Sequence, residues 1–496
     1  MSVFFNLYFL SSDIFLLITS LNLLIFGVFL ASNKVLGSPV LSKIFAILVY
    51  KTLFLSILIL ILQVPISAYF LNGLLFTNYF TYFANILLVI FSFNIASLSL
   101  PYLETQKIQF FEFWILLLFS VVAISFVIFS FDLLSVYISI ELQSLIFYIL
   151  ASFNRTSEFS TEAGLKYFIL GAFSSAFLLM GSAILYGLCG VTNLMDFSKL
   201  CSGLLLFDSN FAVGLTVGII FFITSLLFKF NSAPFHFWSP DVYDGVPLPV
   251  TAIFAILPKI ALAGLLIKII FFAFSQQLIL VKYFLFICCL LSSILGILGA
   301  FSQLKWKRFI AYSSIGHSSF ILLALVSDDF LTIVNSFLFL IVYSVSSLLF
   351  FYIVTNLQFF QFPNKNFSRF ITSIKSLSSI NSILSFYLLI LMFSFAGLPP
   401  FAGFFSKFFI LLTSLKTNWV SLSITLILLN CLASFYYLRF SKMIYFDVKP
   451  TQLVLVPMTK SNSILSTLCV LFLIFLIFDL DFLLSVSKLI TISLIK

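Results

Sequence analysis

The sequence of 496 residues is 62% hydrophobic and only 8% charged, with a mean hydropathy of +1.24. Soluble domains carry about 25% charged residues, so this composition excludes a soluble protein and indicates a chain that crosses a membrane many times. The net charge of +9 comes mostly from Lys and Arg in the predicted loops, and it gives no reason to expect a nucleic-acid partner.

The apolar runs predict an all-α, polytopic membrane protein. About 20 apolar residues cross a bilayer as a helix, and these runs lack the alternation of a membrane barrel. We number about fourteen predicted transmembrane spans in chain order as 13–33, 40–63, 79–98, 110–130, 133–152, 163–188, 210–230, 248–272, 282–303, 308–326, 331–357, 379–416 (interrupted), 418–438 and 463–485.

The distribution of Lys and Arg supports this count. When the cations are assigned to alternate ends of successive spans, sixteen fall on one side and three, Lys199, Lys282 and Lys416, on the other. Lys and Arg concentrate on the side of the membrane where the chain is synthesised. Both termini are therefore expected on the opposite side.

The sequence offers few ligands for a cofactor. It has six cysteines without a CxxC pair and only two histidines, too few at usable spacing for a metal, haem or iron–sulfur site. Nucleotide-binding glycine loops and a nucleophile elbow are missing too. We therefore expect no cofactor, metal or redox centre in this chain.

Ionisable residues inside the spans are the candidates for function. A charge near mid-bilayer costs about 2.5–3.5 kcal/mol even on the insertion scale, and such residues are functional by default. The candidates are Asp132, Glu141, Lys229, Lys259, Lys268, His317 and Lys407.

Four of these candidates have structural alternatives that are easy to state. Glu141 lies near mid-depth in span 5, where it could instead be a carboxylate hydrogen-bonded to a neighbouring helix. Asp132 lies at the start of that span and fits an N-cap at least as well as a relay. Lys268 lies near the end of span 8, where its side chain is expected to snorkel to the interface. His317 fits a core histidine as well as a proton relay.

Prolines are predicted to interrupt several spans. Proline removes a backbone donor and clashes with the preceding turn, and broken backbone is tolerated at membrane depth only inside protein or beside a wet cavity. Two interrupted spans at corresponding places in two halves point to a transport site. The predicted helix breaks are at Pro234, Pro258, Pro399 and Pro400.

A lysine accompanies each predicted break. Lys229 precedes Pro234 by five residues, although a span that simply ends there would place this lysine in a loop. Lys259 directly follows Pro258, with some ten apolar or small residues on either side that make snorkelling difficult. Lys407 follows the segment GLPPFAG.

One glutamate and three lysines within the predicted spans fit a chain of proton sites. Burial disfavours the charged form of a lysine, whereas a nearby carboxylate favours it, so the proton occupancy of each site responds to its neighbours. Two unit charges 4 Å apart interact by about 4 kcal/mol at an effective dielectric of 20. The predicted sites of proton translocation are Glu141, Lys229, Lys259 and Lys407. The candidate relays are His317, Asp132 and Lys268.

Several segments resemble one protein family. They are SAPFHFWSPDVYDGVPLPVTA, ELQSLIFYILASF with EAGLKYFILGAFSSAFLLMGSAILYG, KRFIAYSSIGHSSF and FAGLPPFAGFFSK. Together they closely resemble subunit 2 of respiratory complex I (NADH:ubiquinone oxidoreductase), whose bacterial counterpart is subunit N, among the antiporter-like relatives of Mrp. The resemblance covers about 120–440, and SPDVYDGVP and Lys407 favour subunit 2 over the sister subunits 4 and 5.

The resemblance implies fourteen helices, two inverted five-helix repeats, and discontinuous helices 7 and 12. The domains it implies are 1–109 (spans 1–3), 110–275 (first repeat, spans 4–8), 276–440 (second repeat, spans 9–13) and 441–496 (span 14 and tail). It also implies a proton path through the glutamate of span 5 and the lysines of spans 7, 8 and 12, which are the four sites named above.

The resemblance further implies a proton-translocating subunit of the membrane arm. NADH, FMN, iron–sulfur clusters and ubiquinone would be bound by partner subunits. The partners would be other membrane-arm subunits, including subunit 4-like and subunit 4L-like neighbours, and lipids including cardiolipin. The location would be the mitochondrial inner membrane, or a bacterial plasma membrane, with both termini facing the intermembrane space.

Other functions remain open on the sequence. The same fold serves Na⁺/H⁺ antiporters and membrane hydrogenases, and a structural subunit that does not pump is a third reading. Four polar residues have no assigned role: His236, Asp241, Asp479 and Asp481.

Overall fold

The computed structural model describes residues 8–31, 40–108, 110–204, 209–274, 278–361, 364–417, 419–447 and 454–495. Within these ranges, thirteen helices are long and apolar enough to cross a membrane. Two shorter apolar helices, Ser382–Ala396 and Ala402–Leu415, together form the interrupted span 12. The prediction of an all-α membrane protein with about fourteen spans is confirmed.

The helices follow the apolar runs, because a helix satisfies its own backbone polar groups where no water is present. In chain order they are α1 (Ser11–Ala31), α2 (Val40–Leu62), α3 (Tyr79–Thr105), α4 (Glu112–Phe129), α5 (Leu133–Ala151), α6 (Glu158–Cys189), α7 (Leu194–Leu204), α8 (Ser209–Phe230), α9 (Trp238–Gly245), α10 (Leu248–Lys268), α11 (Leu278–Phe301), α12 (Trp306–Ser327), α13 (Phe330–Asn356), α14 (Leu377–Ile380), α15 (Ser382–Ala396), α16 (Ala402–Leu415), α17 (Val420–Tyr445), α18 (Lys460–Phe475) and α19 (Leu480–Ile495).

Short strands occur in the loops between spans. They are β1 (Ala68–Phe70), β2 (Leu75–Thr77), β3 (Gln358–Gln361), β4 (Asn364–Phe367) and β5 (Val454–Leu455). β1 pairs antiparallel with β2, and β3 lies between β4 and β5 with antiparallel pairing on both sides. These strands pair loop backbone that the helices leave free.

Contacts at the helix ends agree with the alternating arrangement of the spans. At one end of the bundle, Lys43 in the first turn of α2 forms an ion pair of 3.2 Å with Glu104 in the last turn of α3. At the other end, Lys282 near the start of α11 lies 2.6 Å from Asp328, which directly follows α12. Lys51 is an exception among the sixteen cations, because it lies near the middle of α2 with its side chain exposed. Which compartment each end faces stays a prediction.

Helix α10 forms the centre of the bundle. Every residue from Leu248 to Lys268 is buried, and α10 packs against α3, α4, α8 and α13. Ionisable side chains on α10 are therefore surrounded by protein. The division into two inverted repeats stays a prediction, and its last boundary, at 440, lies inside α17, which continues to Tyr445.

Candidate functional site

The first helix break follows Lys229 directly. Helix α8 ends at Phe230, and the chain turns through Pro234 before α9 begins at Trp238. Asn231, at the start of the break, has a φ of +63°, in the left-handed region that Asn tolerates better than most residues. Trp238 Nε1 donates to the Phe228 carbonyl over 2.9 Å, which satisfies one acceptor at the end of α8.

Lys229 lies inside the bundle and not in an external loop. Its side chain is only 9% exposed. Its Nζ donates to Tyr148 Oη over 3.3 Å and lies 5.5 Å from the centroid of that ring. Gly171 in α6 faces Tyr148 so closely that a Cβ there would overlap the hydroxyl oxygen. The small residue at this point keeps the space for the contact between Lys229 and Tyr148.

Glu141 reaches Lys229 through intermediate groups. The two residues form no ion pair within 4 Å among the described residues. Glu141 is half-buried and accepts a hydrogen bond from Ser144 Oγ over 3.3 Å. Tyr148 follows Glu141 by seven residues, or two helical turns, on the same face of α5. The polar side chains of Ser144 and Tyr148 thus lie between the carboxylate and the lysine.

Lys259 lies at the centre of the bundle, with 3% of its side chain exposed. Its Nζ donates to the Ser314 carbonyl over 2.9 Å and to Tyr343 Oη over 3.2 Å. It also lies 4.6 Å from the centroid of the Tyr343 ring. All of these partners are neutral, so the lysine has hydrogen-bond acceptors but no carboxylate to balance its charge.

The first break is connected to this central lysine. Asn231 Nδ2 donates to Ser314 Oγ over 3.3 Å, and the carbonyl of the same Ser314 accepts from Lys259. A single residue of α12 therefore contacts both the broken helix and α10. A rearrangement of the break would reach Lys259 through this contact.

The second break precedes Lys407. Helix α15 ends at Ala396, α16 begins at Ala402, and Pro399 and Pro400 lie between them. Gly397 has a φ of +76° and caps α15 in the left-handed conformation, for which glycine has no steric penalty.

Lys407 turns back toward the helix that precedes its break. Its side chain is 4% exposed, and its Nζ donates to the Phe395 carbonyl and to Asn430 Oδ1, the latter over 2.8 Å. It also lies 5.4 Å from the centroid of Phe320. Asn430 on α17 in turn donates to the Ala396 carbonyl over 3.3 Å, so one amide holds both the lysine and the open end of α15.

His317 lies between the second and third lysines. Its ring centroid lies 5.2 Å from that of Phe395, whose carbonyl accepts from Lys407. Its Nε2 is 3.3 Å from Tyr437 Oη, and its ring centroid lies 5.5 Å from that of Tyr343. We order the polar groups as Glu141, Tyr148, Lys229, Asn231, Ser314, Lys259, Tyr343, His317 and Lys407. Hydrogen bonds join Tyr148 to Lys229, Asn231 to Ser314, and Lys259 to both Ser314 and Tyr343. At the other steps the described residues show no direct hydrogen bond between neighbours in this order.

Two candidate relays lie apart from this series. Asp132 caps α5: its carboxylate accepts from the Leu134 amide over 2.9 Å and from Thr192 Oγ1 over 2.8 Å. Lys268 was expected to snorkel, but its side chain is 1% exposed and donates to the Ile128 carbonyl. That carbonyl is free because α4 ends one residue later, so the ammonium finds its acceptor inside the protein.

Pro258 does not break its helix, and this correction changes one of the four predicted breaks. Helix α10 runs through Pro258 without interruption from Leu248 to Lys268. A buried helix can carry a proline because neighbouring groups satisfy the freed backbone.

Asp479 and Asp481 are both exposed. Asp479 ends a short 3₁₀ turn, Leu476–Asp479, that separates α18 from α19, and Asp481 lies in the first turn of α19.

His236 and Asp241 have different surroundings. His236 is buried in the first break, and its Nδ1 has no hydrogen-bond partner among the described residues. Asp241 belongs to an ion-pair network at one end of the bundle, 3.3 Å from Lys166 and 3.2 Å from Arg308. This network fixes α9 against α6 and α12.

The sequence reasoning missed several polar partners of the lysines. They are Tyr148, Asn231, Ser314, Tyr343 and Asn430. The spacing of seven residues from Glu141 was a usable signal for Tyr148. The others depend on contacts between distant helices, which no local pattern reveals. Within the described ranges, no group of three or more His, Cys, Asp or Glu side chains could hold a metal ion.

Buried lysines beside interrupted helices in a fourteen-span bundle define the class of antiporter-like membrane subunits. The sequence model of the family described as NADH:quinone oxidoreductase/Mrp antiporter, TM, matches residues 130–433. This range contains both breaks and all three lysines of the series.

Individual relatives show which family within this class the chain belongs to. NADH-ubiquinone oxidoreductase chain 2 of Marchantia polymorpha is 37% identical over 471 residues, which cover 93% of this chain and 94% of the relative. NADH-quinone oxidoreductase subunit N of Paramagnetospirillum magneticum is 35% identical over 376 residues, covering 76% of each chain. The chain therefore belongs to the family of NADH-ubiquinone oxidoreductase chain 2 and its bacterial form, subunit N.

A solved structure supports the fold independently. A chain of respiratory complex I from Thermus thermophilus aligns with a TM-score of 0.79 at 23% identity, covering 96% of this chain and 98% of that one. At this identity the likeness concerns the fold alone.

Proposed function

We propose that this chain is a proton-translocating subunit in the membrane arm of an NADH:ubiquinone oxidoreductase. Protons would move between Glu141, Lys229, Lys259 and Lys407, with His317 as the relay between the last two. The observation that carries this proposal is the burial of three lysines beside polar side chains. Each of these lysines has neutral acceptors and, among the described residues, no carboxylate within 4 Å.

The neutral acceptors determine how such a series would work. Carbonyl, amide and hydroxyl oxygens stabilise an ammonium group without cancelling its charge, so each lysine is sensitive to the charge of the next. At an effective dielectric of 20, unit charges about 8 Å apart interact by about 2 kcal/mol. That is close to the ~2.3 kcal/mol of work that a membrane potential of 100 mV does on one unit charge. A proton that arrives at one site therefore favours release from its neighbour.

Tyr148 and His317 would be the groups that pass protons between charged sites. A hydroxyl or an imidazole can donate and accept at the same time. Tyr148 connects Lys229 with the side of α5 that carries Glu141. His317 contacts Tyr437, and its ring lies beside those of Tyr343 and Phe395, which hold Lys259 and Lys407. Asp132 and Lys268 would have structural roles, since their partners are helix ends.

The driving reaction would take place in partner subunits, which would bind NADH, FMN, the iron–sulfur clusters and ubiquinone. The neighbours in the membrane arm would be subunit 4-like and subunit 4L-like chains. The half-buried carboxylate of Glu141 supports a neighbour beside α5, because an ionisable group facing lipid is costly. A covering helix would remove the half-buried carboxylate from lipid.

The proposed location is the mitochondrial inner membrane, or the plasma membrane in a bacterium. Both termini would face the intermembrane space, because the cation-rich loops would face the matrix. Lipids including cardiolipin would surround the chain. Protease or tag accessibility at each terminus in intact mitochondria would test this orientation.

Proton pumping by the assembled complex tests the proposal. Glu141→Gln and Lys229→Met are each expected to lower the number of protons moved per NADH oxidised in proteoliposomes, because each removes one proton site. Glu158→Gln is the control, since Glu158 is an exposed carboxylate at the start of α6. Native gels establish that every variant assembles. Normal assembly with an unchanged ratio in both variants would mean that the chain is a structural subunit.

The same gels address the antiporter and hydrogenase alternatives. We expect the chain to migrate with a large assembly that oxidises NADH. Migration only in a smaller complex without this activity, together with exchange of Na⁺ for protons, would favour the antiporter.

A further inference from the structure

A cavity of about 280 Å³ lies at the end of the bundle where the loops after spans 3, 5, 7, 9 and 11 meet. Its walls include Gln106, Asn154, Val246, Lys307 and Ser368, one residue from each of these loops or from their edges. This is the cation-rich end of the molecule, and the lining residue Leu248 lies eleven residues, about three helical turns, from Lys259 on α10. Its side chains have no part in the proposed proton path.

The cavity has an excess of positive charge. Its walls carry Lys305, Lys307, Arg369 and one carboxylate, Asp244. Asp244 is already paired, 2.7 Å from Lys305 and 3.1 Å from Arg308. Two cations therefore remain without a carboxylate within 4 Å among the described residues. These are Lys307, which donates to the backbone carbonyls of Asp244 and Val246, and Arg369, whose side chain is exposed.

The wall of the cavity therefore carries net positive charge at Lys307 and Arg369, because Asp244 is already paired with other cations. An anion with several oxygen atoms would balance the charge of these two side chains.

The rim of the cavity suggests which anion this is. Phe159 and Phe370 lie at the rim with 62% and 51% of their side chains exposed. Aromatic rings of this kind suit the boundary between headgroups and acyl chains. The volume is below the ~300–1,000 Å³ of sites for drug-sized ligands, so the cavity would hold a headgroup and not a whole lipid.

We propose that this cavity binds the phosphate group of an anionic phospholipid, whose acyl chains lie along Phe159 and Phe370. Basic pockets between transmembrane helices on the matrix or cytoplasmic side bind such headgroups. The proposal rests on the proposed membrane orientation of the chain but not on the proton path. A lipid held here would bind loops from both halves of the bundle together.

Photocrosslinking on the purified, assembled complex tests this proposal. The probes are phosphatidylglycerol and phosphatidylcholine, each with a diazirine on an acyl chain, and the labelled peptides are mapped by mass spectrometry. We expect the anionic probe to label the segment around Phe370 several times more strongly than the zwitterionic probe. Arg369→Gln should reduce that labelling about fivefold, as expected for one cation near a lipid phosphate.

Arg439→Gln is the matched control for this experiment. Arg439 is an exposed arginine at the same end of the bundle, beside Gln303 and Leu304, and it does not line the cavity. Its variant should leave the labelling near Phe370 unchanged. Equal labelling by both probes in the parent complex, or equal effects of the two arginine variants, would overturn the proposal.

Inorganic phosphate distinguishes a lipid from a free anion. Radiolabelled phosphate is equilibrated with delipidated complex, and its binding is compared with that of the Arg369→Gln variant. Weak phosphate binding alongside strong labelling by the anionic lipid supports the lipid. Phosphate binding that depends on Arg369, with no preference for the anionic lipid probe, would contradict it. Neither measurement involves pumping, so failure here leaves the proton path untouched.

Discussion

The two interrupted helices carry their lysines on opposite sides of the break. Lys229 is the second-last residue of α8, before the first break, whereas Lys407 is the sixth residue of α16, after the second break. The two segments thus look alike in sequence, with a lysine near a proline, but they present the ammonium group to different surroundings.

The partners of the two lysines differ in chemistry. Tyr148, which accepts from Lys229, has a hydroxyl that can also give up a proton. The Phe395 carbonyl and Asn430 Oδ1, which accept from Lys407, can only accept. We infer that Lys229 exchanges protons with its hydrogen-bonded neighbour. Lys407 would be a terminal site that receives its proton from His317 or from water.

Replacing each lysine by arginine gives the largest expected effect. Arginine keeps the charge and the donors but does not release its proton in proteins. Both Lys229→Arg and Lys407→Arg should therefore slow proton transfer through the subunit by ~10²–10⁴-fold, the usual contribution of a positioned acid or base. Pumping by proteoliposomes after addition of NADH measures this rate.

Lys416→Arg is the control for the arginine variants, because Lys416 is exposed at the end of the same helix as Lys407. If Lys407→Arg pumps normally while Lys229→Arg does not, Lys407 acts as a fixed charge. In that case only the first break would carry a proton site.

A methyl group at Gly171 should disturb the first lysine. In Gly171→Ala the new Cβ would overlap Tyr148 Oη and displace it from Lys229. Overpacking of this kind costs about 1–3 kcal/mol, so proton transfer should fall several-fold. Gly187→Ala is the matched control on the same helix, because a Cβ there meets no atom within 4 Å. Equal pumping in the two variants would show that the position of Tyr148 does not matter.

A methyl group at Gly397 should disturb the second lysine for a different reason. The left-handed backbone at Gly397 costs an alanine about 1–2 kcal/mol, and its Cβ would lie 3.1 Å from Lys407 Cδ. We expect Gly397→Ala to weaken both the cap of α15 and pumping, and to lower thermal stability by about as much as Gly171→Ala does. Thermal denaturation of the assembled complexes, followed on native gels, compares the stability of the two variants.

Removal of the tyrosine hydroxyl gives the smallest expected effect. Tyr148→Phe loses one hydrogen bond to Lys229, worth about 0.5–1.5 kcal/mol. Water can take over proton transfer where the hydroxyl was, so we expect transfer to slow only about 2–10-fold. Tyr137→Phe, on the same helix and partly buried, should have no effect. A loss of pumping as complete as in Lys229→Arg would mean that water cannot replace the Tyr148 hydroxyl as the proton carrier.

Much of the fold could be predicted because the membrane simplifies the problem. Long apolar runs have to become helices, and prolines beside Lys229 and Lys407 marked real interruptions. The proline of α10 gave a wrong prediction, since local sequence does not reveal that a fully buried helix can absorb Pro258.

The site could be predicted only in part. Ionisable residues within apolar spans stand out, and this is how the lysines were found. Lys268 was expected to reach the interface, but the end of α4 provides a carbonyl that its position in sequence could not indicate. Partners such as Asn430 and Tyr343 lie on other spans, and their contacts depend on how the helices pack. The roles of the four proposed proton sites stay predictions.

The central claim is that buried lysines carry protons through this chain, and Lys259 tests it most directly. It lies in the middle of the series, on a wholly buried helix. The measurement is the number of protons moved per NADH oxidised by assembled complex in proteoliposomes, for Lys259→Met and for the exposed control Lys416→Met. The account predicts a lower ratio for Lys259→Met and the parent ratio for Lys416→Met. The parent ratio in a fully assembled Lys259→Met complex would contradict it.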